Sequence, residues 1–99
     1  MLHIVNKSPT DGNALDGALR MASADCALLL IEDAVYAATR GGIAEARIQE
    51  ALRRHKVYVL GPDLDARGMA DRLAEGVTVV DYAGFVDLVV EHPNCQSWL

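Results

Sequence analysis

The chain has 99 residues, of which 52% are hydrophobic and 23% are charged, and its formal net charge is −5 at pH 7. This composition excludes intrinsic disorder and collagen-like repeats, and the length predicts one domain over residues 1–99. The longest apolar run, at 26–31, is far shorter than the ~20 residues of a membrane span, and the N-terminus lacks an export-signal pattern, so we expect a cytoplasmic protein with no membrane contact.

The negative net charge of the chain argues against direct nucleic-acid binding. A protein that holds nucleic acid unaided needs a positive surface, because neutralising phosphates supplies most of the non-specific affinity. The basic cluster at 53–56 is typical of a helix end, where cations interact favourably with the helix dipole. We therefore expect no direct contact with nucleic acid.

Short apolar runs alternate with segments of helical period along the chain. The runs, at 2–5, 26–31, 57–60 and 77–80, predict four strands. The helical segments lie at 14–22, 33–39, 43–54, 64–74 and 81–92, with Asp11 or Asn13 as a cap for the first and Pro93 ending the last. The alternation predicts an α/β fold: a small three-layer domain with a mostly parallel sheet covered by helices.

Ligands and partners of such folds gather at the carboxyl ends of the strands. These ends are predicted at 6–10, 32–33, 61–63 and 81–82. Glu32 and Asp33 are adjacent acids that either cap the next helix or act as an acid/base pair. The segment 11–13 is either an ordinary turn or an anion cradle at a helix start.

The last helix carries more apolar residues than one buried stripe needs. Within 82–90 they occupy most sides of the helix, which predicts contact with another chain, with Phe85 and Trp98 as anchors. The alternative is that the tail, including Trp98 and Leu99, folds back over this helix.

Neither cysteine lies in a recognisable reactive setting. Cys26 follows an acid and leads into an apolar run, so we expect a packed structural thiol and little thiolate. Cys95 lies in the tail, where it is more accessible. The cysteines and the scattered histidines lack zinc-ligand spacing, and no glycine-rich phosphate loop is present. The sequence predicts no catalytic, cofactor-binding or metal-binding residue.

Several segments resemble the TusB/DsrH family of sulfur-relay subunits, in the same order along the full chain. They are MLH at 1–3 leading into NKSP at 6–9, EDAVYAA at 32–38, YVLGPDLDARG at 58–68, VDYAGFVDL at 80–88 and QSWL at 96–99. The resemblance implies a DsrE/DsrF/DsrH-like fold and assembly with two homologous subunits, of the TusC/DsrF and TusD/DsrE types, into a heterohexamer.

The family's function then becomes the leading expectation. TusB-like complexes pass persulfide sulfur toward 2-thiouridine at the tRNA wobble position, and DsrH-like complexes handle sulfur in sulfur-oxidising bacteria. The resemblance places the main sulfur-accepting cysteine on the TusD/DsrE-type subunit. Some DsrH-like members carry a cysteine in the first helix, but residues 15–19 contain none. We therefore expect an accessory or structural subunit, able to form a homo-oligomer when isolated.

Two other functions stay open at this stage. Cys95 is a candidate persulfide carrier, which would give this chain a direct part in sulfur transfer. Alternatively, the loop at 6–13 would bind a small molecule in a flavodoxin-like module.

Overall fold

The fold is built on a five-stranded sheet in which every neighbouring pair of strands is parallel, with the order β4-β3-β2-β1-β5. The computed structural model describes residues 1–98, so the expected contact of Leu99 lies outside the described residues. The strands are β1 Leu2–Val5, β2 Ala27–Leu30, β3 Lys56–Leu60, β4 Thr78–Val80 and β5 Cys95–Trp98. The predicted parallel α/β fold is confirmed.

The helices are α1 Ala14–Met21, α2 Glu45–Leu52, α3 Gly61–Ala66 and α4 Tyr82–Glu91, with 3₁₀ segments at Glu32–Ala38 and Ala70–Arg72. The predicted helix at 64–74 is wrong in its bounds. Pro62 lies in the first turn of α3, where its missing N–H costs no hydrogen bond, so the helix begins earlier than predicted. Gly68 then adopts a φ of 68°, and the α-helical conformation has ended before it.

Within residues 1–98, none of the helices has the length and apolar character needed to cross a bilayer.

The tail forms a strand, which the sequence did not predict. β5 pairs with β1 in the register Leu2↔Cys95 to Val5↔Trp98, so the sheet has five strands and not four. The segment CQSW escaped prediction because it is largely polar, as an edge strand exposed to solvent can be. The tail is therefore held in the sheet and does not fold over α4.

The path of the chain gives the two sheet faces unequal cover. From β1 to β4 the strands are added in one direction, and α4 then returns the chain from β4 at one edge to β5 at the other. Crossover connections between parallel strands are almost always right-handed. Because the last connection runs in the opposite direction across the sheet, α4 lies on the opposite face from the other helices. The helix-rich face, defined by Val5, Leu28, Leu30, Val57 and Val59, packs against α1, α2, α3 and the first 3₁₀ segment. The α4 face, defined by Leu2, Ala27 and Leu29, packs against Leu88 and Phe85 of α4.

A hydrogen bond between His3 and Trp98 joins the first and last strands. Trp98 Nε1–H donates to His3 Nδ1 at 3.0 Å, which requires that nitrogen to be unprotonated. His3 is only 2% exposed. Burial lowers the pKa of His3 below 6.5, and the positive amino terminus and His55 lower it further.

The lowered pKa of His3 predicts a pH-dependent stability. The unfolded chain takes up a proton at His3 near pH 6.5 while the folded chain does not, so the free energy of unfolding should fall as the pH is lowered through 6.5. Urea titrations at a series of pH values should show this loss, with full stability above pH 6.5. The variant His3→Gln should show a shallower dependence. An undiminished slope in that variant would contradict the assignment.

Candidate functional site

The carboxyl ends of β1, β2 and β3 meet in a polar cluster formed by Asn6, Glu32, Asp33, Asp63 and Arg67. Asn6 Nδ2 donates to Glu32 Oε2 at 3.3 Å, and the Glu32 backbone N–H donates to Asp63 Oδ2 at 2.6 Å. Three of the strand-end segments predicted from sequence are thus brought together, as a parallel sheet requires.

Glu32 has an unusual backbone conformation. Its φ is +50°, in the left-handed region that costs a non-glycine residue roughly 1–2 kcal/mol. This conformation lies at the junction of β2 and the 3₁₀ segment, where the backbone N–H meets the carboxylate of Asp63. The charged hydrogen bond to Asp63 offsets part of the conformational cost.

The adjacent acids Glu32 and Asp33 have separate partners. Arg67 approaches the same oxygen of Asp33 with Nη2 at 2.9 Å and Nε at 3.0 Å, while Glu32 accepts from Asn6. An acid/base pair needs two carboxyl groups facing one reacting atom, and here they tie different loops together. Neither acid caps the 3₁₀ segment through its side chain, so the capping expectation is also wrong.

The loop at 6–13 is closed by its own hydrogen bonds. The Asp11 N–H donates to the Ser8 carbonyl at 3.0 Å, and the hydroxyls of Ser8 and Thr10 lie 3.0 Å apart. Neither expected cap is made: Asn13 occupies the N-cap position of α1 without a side-chain hydrogen bond. This geometry is that of an ordinary turn, one of the two alternatives that the sequence left open.

Cys26 is packed as predicted, but its electrostatics differ from the prediction. The thiol is buried, and its Sγ accepts from the Ser23 N–H at 3.2 Å, with the Ser23 hydroxyl at 3.3 Å. Burial, the largest influence, raises the pKa of Cys26, but the contacts with Ser23 and the positive amino terminus outweigh it, so the pKa lies below its ordinary value. The expectation of a disfavoured thiolate is wrong, because the sequence does not show that the turn at 23–26 directs hydrogen bonds to the sulfur.

Helix α4 exposes an apolar stripe formed by Tyr82, Val86, Val89 and Val90. Tyr82 is 62% exposed, Val86 60% and Val90 78%. The predicted apolar excess of this helix is therefore at the surface. Exposed apolar patches of this kind are typical of protein–protein contact sites.

The expected anchors Phe85 and Trp98 do not belong to this stripe. Phe85 is half-buried against the core of the α4 face, and Trp98 is half-buried on the helix-rich face, with its ring lying over Gly17 of α1. They lie on opposite faces of the sheet, because Trp98 is the partner of Val5 in the register and points with it to the helix-rich face, whereas Phe85 belongs to α4. The anchor assignment is revised: these side chains stabilise the fold, and Tyr82, Val86, Val89 and Val90 form the free surface.

Cys95 is exposed at the start of β5, beside Leu2 in the register of the sheet. Parallel partners point to the same side, so Cys95 lies toward the α4 face. Across residues 1–98, no three histidine, cysteine or acidic side chains are grouped closely enough to hold a metal ion.

Comparisons with known proteins identify the family. A family model described as "DsrH like protein" matches residues 7–95. Protein TusB of Pectobacterium parmentieri is 40% identical over 99 residues, covering 99% of this chain and 100% of that protein. The chain belongs to the TusB/DsrH family. Protein TusB of Escherichia coli K12 is 41% identical over 102 residues, with the same coverage. The resemblance noted in the sequence is thereby confirmed.

Solved structures share the fold at lower sequence identity. The YchN protein of Escherichia coli superposes with a TM-score of 0.85 at 21% identity, covering 97% of each chain. The protein MTH1491 of Methanobacterium thermoautotrophicum superposes with a TM-score of 0.75 at 20% identity, covering 97% of this chain and 95% of that one. These likenesses confirm the small α/β architecture.

The polar cluster predicts the effect of removing Asp63. The variant Asp63→Ala leaves the strained backbone of Glu32 without its acceptor, so the free energy of unfolding should fall by about 1 kcal/mol. Urea denaturation measures this change. The matched control is Asp65→Ala in the same helix, where an exposed side chain should change stability by less than about 0.5 kcal/mol. Equal effects of the two substitutions would contradict the role of Asp63.

Proposed function

We propose that this chain is an accessory subunit of a cytoplasmic sulfur-relay complex, and that α4 binds it to a homologous subunit. The observation that carries the docking proposal is the apolar stripe on α4, the single helix against the core of the α4 face. The relation to proteins named TusB supports the assignment to a sulfur relay.

The unequal cover of the sheet explains why a partner would bind there. The helix-rich face is covered by several elements, whereas Ile4, Ile31 and Tyr58 on the α4 face stay partly exposed beside one helix. A partner laid against α4 would remove both the stripe and these side chains from water. Burial of apolar surface contributes roughly 25 cal/mol per Å², so this face has a strong driving force for association.

The partners we propose are two homologous subunits, of the TusC/DsrF and TusD/DsrE types, in a heterohexamer. Such a complex would pass persulfide sulfur toward 2-thiouridine in tRNA, or serve sulfur oxidation as in the DsrH branch. An accessory role agrees with the absence of cysteine from α1, and the sulfur-accepting thiol would belong to the TusD/DsrE-type subunit. The net charge of −5 also favours an arrangement in which other subunits contact tRNA.

Substitutions in the stripe test the docking surface. Val86→Asp and Val90→Asp place a charge where an apolar contact would be buried, so each should weaken binding to co-expressed TusC- and TusD-type subunits by at least about tenfold. Native mass spectrometry measures the assembly, and circular dichroism checks that the chain is folded. Ile43→Asp is the matched control, because Ile43 is 74% exposed but lies outside the stripe. Intact complexes with both stripe variants would overturn the proposed surface without testing the sulfur relay.

Cys95 supports a second candidate function, that of a persulfide carrier. Its thiol is exposed, as a sulfur-accepting group must be. After loading with a sulfane-sulfur donor, intact-mass measurement and peptide mapping should find a sulfur adduct on Cys95 that a partner subunit can remove. The variant Cys95→Ser should lose that adduct. A Cys95→Ser complex that retains full sulfur transfer would exclude the carrier role and leave the accessory role in place.

A further inference from the structure

The charges of the chain are divided unevenly along the sequence. All nine Lys and Arg residues lie within 1–72, whereas residues 73–99 contain four acidic residues and no Lys or Arg. These acids are Glu75, Asp81, Asp87 and Glu91. Helix α4, at Tyr82–Glu91, therefore lies in a part of the chain that has no cationic side chain of its own apart from the histidine that follows the helix.

We propose that the protein surface that docks on α4 has an apolar centre flanked by Lys or Arg side chains, which pair with Asp87 and Glu91. This inference rests on the proposed function, because it describes the partner of the same apolar stripe. It is carried by the position of the two acids beside the stripe, by their lack of cationic partners and by the electrostatic cost that they impose on the isolated helix.

Asp87 and Glu91 form an acidic row along one side of the stripe. Both residues are exposed, and they are one turn apart on α4. Asp87 lies three residues before Val90, so the two are neighbours on the helix surface. The other side of the stripe is bounded by Phe85, which is half-buried against the sheet. A partner laid on the stripe therefore meets negative charge along one side only.

No cation of the chain neutralises this row within residues 1–98. The ion pairs of these residues lie elsewhere: Arg47–Asp16, Arg53–Glu50 and Arg67–Asp33. Arg54 and Lys56 line the same cavity as Glu91 but form no ion pair with it. By contrast, Asp81 has a local role, because its Oδ1 accepts from the Gly84 N–H at 2.8 Å at the start of α4.

The acidic row is unfavourable for the isolated helix. Like charges one turn apart repel each other, and both carboxylates are on the same side of α4. Glu91 is also the last residue of the helix, where the negative end of the dipole disfavours an acid, and the last turn has no basic residue. Cationic side chains of a docked partner would relieve both costs, so the row favours a basic partner surface.

The same charges disfavour a second copy of this chain as the occupant of α4. A second copy would bring an identical acidic row and a net charge of −5, and its own α4 has no Lys or Arg to offer. Like-charge contact slows association and weakens the complex. The occupant that fits is therefore a different subunit with cations beside an apolar centre.

Neutral isosteres of the two acids test the proposal. The double variant Asp87→Asn with Glu91→Gln is compared with the wild-type chain for binding to purified TusC- and TusD-type subunits, by biolayer interferometry at about 50 mM and about 500 mM salt. The matched control is Asp11→Asn with Asp65→Asn, which removes the same charge from two exposed residues outside α4. Circular dichroism checks that each variant is folded.

We expect the α4 variant to lower the association rate constant by about threefold or more at low salt, and by less at high salt, because screening weakens the charge pairs. The control variant should change it by less than about 1.5-fold. Equal effects of the two double variants would overturn this inference and leave the docking surface in place. A wild-type chain that binds neither subunit would overturn the proposed function together with it.

Two measurements on the isolated chain complete the test. The α4 variant should unfold at a higher urea concentration than the wild type, because it removes the repulsion within the row. A lower midpoint would show that the acids stabilise the fold and would contradict the proposal. Sedimentation velocity should find no dimer that depends on the stripe. A wild-type dimer that is lost in Val86→Asp would assign α4 to a second copy and would also overturn the proposal.

Discussion

The parallel pairing of β5 with β1 determines how the rest of the domain is arranged. Because β5 joins the far edge of the sheet from β4, the chain must cross the whole sheet once, and α4 is that crossing. The earlier connections occupy the other face, which leaves α4 alone against the core of its own face. One pairing thus accounts for both the well-covered core and the apolar stripe proposed as the docking surface.

Much of the fold could be predicted because buried parallel strands need continuous apolar runs. The segments of β2 and β3 have such runs, the run of β1 is broken only by His3, and each is followed by a turn or helix signal. β5 could not be predicted in this way, since three of its four residues are exposed and an exposed position does not require an apolar side chain. Strand pairing across nearly the whole chain leaves no local pattern in the sequence.

The sites were less predictable, because they depend on how separate segments meet. The strand-end positions of Glu32 and Asp63 were predicted, but the left-handed φ of Glu32 occurs together with a hydrogen bond between residues 31 positions apart, which local sequence does not reveal. The apolar composition of α4 predicted an exposed surface, yet only the packing shows that Phe85 faces the core and Val90 faces solvent. Likewise, the surroundings of Cys26 in sequence gave the wrong direction for its pKa until the contact with Ser23 was known.

The hydrogen bond between His3 and Trp98 has a consequence for how the chain folds during synthesis. The two residues are separated by 95 positions, so the sheet cannot be completed until almost the entire polypeptide has left the ribosome. Contacts between such distant residues slow folding, because a long loop must close before they form. Until then β1 is an open edge next to β2, and the nascent domain has to avoid pairing with neighbouring chains through that edge.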